Sequence, residues 1–190
     1  MTLLFGAYPF LAVNTRVSGG LLVVEGWVPD YALAFAAREL REQHYGKLYV
    51  TGGPLERGSP LSAYKTYAQL GAATLVGFGL KPDEIETVPS PSVRQDRTFV
   101  SAVALKHWLA DHGAVAKEFQ VISLGPHARR TRLLFEDALG PKARVGVTAV
   151  RDQNYDPHRW WRTSEGFRIV TGELIAYGYA RFLFRPPKEE

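Results

Sequence analysis

Five times along this 190-residue chain, a short apolar run is followed by a longer segment with helical spacing. The runs are Leu21 to Glu25, Lys47 to Thr51, the start of "EIETVPSPSV", then "EFQVISLG" and "RVGVTAV". None alternates apolar and polar residues with the period of two that marks a half-exposed antiparallel strand. Strands that are apolar throughout and separated by helices require crossover connections. The alternation therefore predicts a doubly wound, Rossmann-like α/β fold: a mostly parallel sheet with helices on both faces.

The helical segments carry their own punctuation. In "PDYALAFAARELREQH", Pro29 suits a first turn, and Ala32, Phe35, Ala36 and Leu40 form an apolar stripe. "LSAYKTYAQLGAATLVGFGL" takes Ser59 or Ser62 as its cap, and "DRTFVSAVALKHWLADHG" takes Asp96 or Thr98, with Gly113 as its stop. "ARRTRLLFEDALG" ends at Gly140, and the long C-terminal helix from Ser164 is capped by that serine. No repeat or linker divides residues 21–190, which read as one domain. Residues 1–20 contain "LLFGAYPFLAV", an 11-residue apolar stretch broken by Gly6 and Pro9. It is shorter than the roughly 20 residues a spanning helix needs. Two readings stand: a segment packed on the domain, or the tail of a membrane anchor. The matching expectations for location are a soluble cytoplasmic domain, or membrane association through this segment.

Composition removes several classes of chemistry. The chain has no cysteine, so thiolate catalysis, disulfides and Cys-based zinc sites are excluded. No GxSxG elbow is present. Of the histidines, only His107 and His112 lie close together, with an i,i+5 offset wrong for one helix face, so no metal site is expected. The formal charge is +4, with 23 basic and 19 acidic side chains, which suits an anionic ligand. The run of five or more Lys/Arg common in nucleic-acid binders is absent, and no nucleic-acid partner is expected. Nothing points to a particular cofactor.

In open parallel sheets the ligand site lies beyond the carboxyl ends of the strands. Glu25 to Trp27 follow the first strand. Thr51, Gly52 and Gly53 follow the second, with Glu56 and Arg57 in the loop. Ser90, Ser92, Arg94, Asp96, Arg97 and Thr98 follow the third, and His127, Arg129 and Arg130 the fourth. Arg57, Arg94, Arg97, Arg129 and Arg130 are thereby offered to one crevice, with three helix N-termini. Each piece also has a plainer reading. "TGG" is then a tight turn, His127 a backbone-bonded helix start, and Trp160 and Trp161 are core. Arginines in a first helical turn oppose the helix dipole, so Arg129 and Arg130 call for a compensating anion. Glu25 is a candidate buried acid paired with Arg130.

Four of these stretches, in order, resemble the SanA/YdcF/ElyC-like bacterial family: "VTGG" at Val50 to Gly53, Ser62 in "GSPLSAY", Thr98 in "RQDRTFVSA", and "VISLGPHARRTR" with His127 and Arg130. The chain departs from the family pattern at Glu25-Gly26-Trp27, at Val100 and Ser101, and at Ser123 and Leu124, as a divergent branch would. The resemblance spans about residues 21 to 140. It implies a Rossmann-like core and a cell-envelope setting, in peptidoglycan or lipid-carrier metabolism.

The leading functional expectation is a protein that binds, and acts on, a phosphorylated or nucleotide-like small molecule. Thr51, Gly52, Gly53, Ser62, Arg97, Thr98 and Arg130 would hold the ligand. His127 would be general acid or base, and Glu25 would orient it or bind a sugar hydroxyl. The alternatives are a non-catalytic ligand-binding or envelope-accessory module, and a methyltransferase-like nucleoside site. Association with a membrane surface is also open.

Overall fold

The computed structural model describes residues 2–17, 19–43 and 45–187. Its elements run α1 (Thr2–Leu11), β1 (Leu21–Glu25), α2 (Asp30–Glu42), β2 (Leu48–Gly52), α3 (Tyr67–Gly77), β3 (Ile85–Pro89), α4 (Arg97–Asp111), β4 (Glu118–Leu124), α5 (Ala128–Leu139), β5 (Arg144–Val150) and α6 (Ser164–Phe182).

The five strands form one sheet in the order β3-β2-β1-β4-β5, and every pairing is parallel. Glu25 stands beside Thr51, and Val24 beside both Val50 and Ile122. Alternate residues of β1 serve opposite faces. Leu22 and Val24 join a core with Leu33 and Leu40 of α2 and Leu75 of α3. Val23 joins the other core with Phe99 and Leu105 of α4 and Phe135 of α5. Both faces of the sheet are covered, so its strands are apolar throughout. The chain builds outward from β1 to β3, then returns across the sheet to β4. The carboxyl ends of β1 and β4 therefore flank the point where strand order reverses, and that is where a crevice opens in such sheets.

The segment from Phe5 to Val17 lies against the domain. Ala7 and Leu11 of α1 are buried with Tyr155, Trp160 and Val170, and Phe5 stacks edge-on to Trp161. Trp160 is core, at 2% exposure. Thr15 forms an antiparallel bridge to Val147, and the buried Gln120 side chain donates to Thr15 O and Thr148 Oγ1 while accepting from Val17 N.

Several helix starts differ from the sequence expectation. Helix α3 begins at Tyr67, and neither Ser59 nor Ser62 caps it. Thr66 and Gln69 form a reciprocal capping box, because residues 54 to 66 are held as a loop by the Pro54–Thr66 bridge and by Tyr67 N donating to Gly53 O. Helix α6 is capped by Thr163, whose hydroxyl accepts from Gly166 N, so Ser164 is its first helical residue. Pro29 is the N-cap of α2 rather than a residue of its first turn. That helix stops at Glu42, and His44, where the sequence reading ended it, lies outside the described residues. Asp96 occupies the cap position of α4 in the left-handed region (φ 57°) without a side-chain cap bond, and Thr98 is already helical.

Candidate functional site

A cavity of about 660 Å³ opens over the carboxyl ends of β1, β2 and β3. Among the residues named from sequence, Glu25, Thr51, Gly52, Gly53, Arg97, Thr98, His127 and Arg130 line it. Ser62 does not. It sits in the loop before α3, where its hydroxyl accepts from Tyr64 N and its carbonyl from Lys65 Nζ. Of the five arginines offered to the crevice, Arg94, Arg97 and Arg130 line the cavity, and Arg57 and Arg129 do not. Arg129 instead ties α1 to the domain, donating to Phe10 O and lying 4.1 Å over the Phe10 ring.

The centre of the site is a chain of four charges. Glu25 ends β1 at the strand-order reversal and is 2% exposed. Its Oε2 accepts from Ser123 at the end of β4 (2.6 Å) and from Thr131 in α5 (3.0 Å). Its Oε1 faces His127 Nε2 at 3.6 Å, an ionic contact rather than a hydrogen bond. On the other side of the imidazole, His127 Nδ1 lies 2.9 Å from Glu173 Oε1. Glu173, in the middle of α6, is in turn gripped by Arg130, with Nε on Oε2 and Nη2 on Oε1, both at 2.9 Å. The sequence expectation that Glu25 pairs with Arg130 is therefore corrected. Arg130 takes Glu173, and Glu25 is satisfied by two hydroxyls and the imidazole.

The protonation pattern follows from these positions. Burial alone would strip the proton from His127. The charge of Glu25 and the hydrogen bond to Glu173 together outweigh it, against the opposing charge of Arg130, and the imidazole is raised from 6.5 to about 9. Burial would raise Glu173, but the His127 and Arg130 hydrogen bonds and charges win and bring it down to about 2. Glu25 is likewise lowered despite its burial, by the His127 charge and by hydrogen bonds from Ser123 and Trp27. At neutral pH, His127 is an imidazolium between two carboxylates. Its Nδ1–H donates to Glu173, and so does Arg130 Nη2. The 2.9 Å approach of Nη2 to Nδ1 is then two donors drawn to one oxygen.

The open side of the imidazole faces the cavity. Thr98 Oγ1 lies 3.4 Å from Nε2, and Trp27 covers the ring edge-on at 4.9 Å. Helix α4 presents its N-terminus here without a side-chain cap, through Asp96, Arg97 and Thr98. Ser90 and Ser101 hydroxyls meet 3.1 Å apart on the same wall. Thr51 is fully buried, lines the cavity, and its hydroxyl has no hydrogen-bond partner among the described residues. An orphan buried hydroxyl is costly unless something in the cavity satisfies it. Arg97 is held by Glu56 at the rim. Among the described residues, no cluster of His, Asp and Glu has the form of a metal site.

Sequence reasoning placed Trp27 at the strand end but missed Glu173, Ser123 and Thr131 as members of the site. Glu173 did leave a signal, being the only charged residue between Arg168 and Arg181. Ser123 and Thr131 left none beyond their place at the end of β4 and in the first turns of α5. In comparison with known proteins, the chain matches no family model and no curated relative.

Proposed function

We propose that this chain binds a phosphorylated or nucleotide-like small molecule in the cavity at the carboxyl edge of the sheet, and that His127 delivers a proton to it. The carrying observation is that an imidazole flanked by two carboxylates and an uncapped helix N-terminus meet at one cavity. The N-terminus of α4 offers free N–H groups and partial positive charge to a phosphate. Arg94, with no ion-pair partner among the described residues, adds an exposed cation at the rim, and the orphan Thr51 hydroxyl adds a donor inside.

The imidazolium sets the direction of the chemistry. With its proton held to about 9, His127 is no base at neutral pH; it is an acid for a leaving or developing oxyanion. Glu25 keeps that proton in place and Glu173 fixes the ring plane, as a carboxylate behind a histidine does in other acid–base sites. The resemblance noted above adds a cell-envelope setting to this proposal. The competing non-catalytic reading has one observation in its favour, that both His127 nitrogens already have carboxylate neighbours.

A thermal-shift screen of phosphorylated metabolites, followed by product analysis for each binder, separates the two. Binding with turnover that is lost in His127→Gln while binding persists supports the acid role. Binding without turnover leaves the non-catalytic module. No binder among phosphorylated compounds would overturn the ligand class.

A further inference from the structure

Helix α6 serves the site with one face and leaves the opposite face without cover. Glu173 points inward to His127 and Arg130. Two residues on, about 200° round the helix, Ile175 is 75% exposed. It belongs to a stripe stepping by four, Phe167, Thr171, Ile175, Tyr179 and Leu183, with Phe182 beside it. Phe182 is 80% and Leu183 70% exposed. A helix apolar on all sides normally buries all of them. Contiguous apolar surface of this kind marks an interaction site rather than ordinary scatter.

The charges around the stripe indicate what covers it. Arg162, Arg168, Arg181 and Arg185 lie along or just beyond α6. Among the described residues, the acids near them are Glu165, which pairs with Arg168 at 3.5 Å, and Asp137, which feels the Arg181 charge. The face is apolar with a basic excess, and its large side chains are aromatic or branched aliphatic. A second copy docked about a two-fold axis would set these arginines against each other. A surface of lipid headgroups that is itself anionic matches both the apolar stripe and the basic rim. No helix among the described residues is long and apolar enough to cross a membrane, so α6 would lie in the interface plane.

We propose that the outer face of α6 docks the protein on an anionic lipid surface, with Ile175, Tyr179, Phe182 and Leu183 inserted among the headgroups and Arg168 and Arg185 on the lipid phosphates. This rests on the outer face alone and does not depend on the ligand of the cavity.

The test is cosedimentation of the whole chain with vesicles of equimolar phosphatidylcholine and phosphatidylglycerol, against vesicles of phosphatidylcholine alone. Binding to the mixed vesicles is expected, weakened by salt. Ile175→Ser with Phe182→Ser should abolish it. Arg168→Gln with Arg185→Gln should weaken it by about tenfold or more, two surface arginines' share of the attraction. Because all four side chains are exposed, circular dichroism of both variants should match the parent. No binding to mixed vesicles, equal binding to both vesicle types, or binding unchanged by either variant would overturn the proposal. So would a salt-stable dimer in sedimentation equilibrium that Phe182→Ser dissolves while vesicles are ignored, which would assign the stripe to a second copy.

Discussion

Two carboxylates, Glu25 and Glu173, oppose the burial of His127 and favour its protonated form. If it acts as an acid, turnover of a bound phosphorylated compound should fall as pH rises through about 9, where the imidazole loses its proton. A pH–rate profile checks this, and a rise across that range would exclude the acid role. Arg130 acts by geometry as much as by charge. Its planar fork closes on both oxygens of Glu173, which a lysine cannot reproduce. Arg130→Lys should cost about 1.5–3 kcal/mol of stability, the range for hydrogen bonds to a charged group. Arg132, two residues on, pairs only with Glu136 at 2.8 Å on a half-exposed face. Arg132→Lys should stay within about 0.5 kcal/mol, as most surface substitutions do. Urea midpoints of the two variants measure the contrast, and equal losses would mean that the cluster acts as diffuse charge.

At the scale of elements, the cavity exists because α3 crosses close to the end of β1. A Cβ on Gly26 would come within 2.4 Å of Tyr67 O, and one on Gly71 within 3.1 Å of Gly26 Cα. Glycine at 26 thus lets the strand end and the helix start meet beside the cavity. Gly26→Ala should force them apart and cost about 1–3 kcal/mol, the usual range for overpacking a close contact. It should also weaken whatever ligand the cavity takes. Comparing its melting temperature and ligand affinity with those of Gly77→Ala, where an added Cβ meets nothing within 4 Å, isolates the close approach from a general glycine effect. Helix α3 also depends on its Thr66–Gln69 capping box, a Thr-x-x-Gln signature present in the sequence. Helix α6 contributes differently, since its single interior acid, Glu173, crosses to His127 and Arg130 at the start of α5, more than 40 positions away in sequence.

For the whole molecule, the coupled charges impose a pH window. His127 has a higher pKa folded (about 9) than its ordinary 6.5, so the native state binds more protons between those values. Its stabilisation is complete below about 6.5 and is lost as pH rises through 9. Glu173, lowered from 4.5 to about 2, contributes above 4.5 and is lost as pH falls toward 2. Stability from this cluster should therefore plateau between about 4.5 and 6.5. Urea denaturation across pH should show an alkaline decline in the parent chain that His127→Gln flattens. A decline of equal slope in both would mean that His127 is not charged in the native state.

What the sequence determined by itself was the order of strands and helices, and hence the parallel layered sheet and the edge that carries the site. Those follow from local patterns: apolar runs, caps and glycine stops act over a few residues, and crossover geometry leaves few ways to assemble them. Glu25, Thr51, Thr98, His127 and Arg130 were legible for the same reason, since each follows directly on a strand or opens the next helix. Only the tertiary structure decided which charge meets which. Arg130 had to choose between Glu25, 105 positions away, and Glu173, 43 positions away. That choice depends on how α6 folds back over α5. The same folding put Ser62 outside the cavity, because the bridge from Pro54 to Thr66 closes its loop on itself. Ion pairs and orphan hydroxyls are settled by packing at ångström scale between distant segments, and a one-dimensional pattern does not contain those distances.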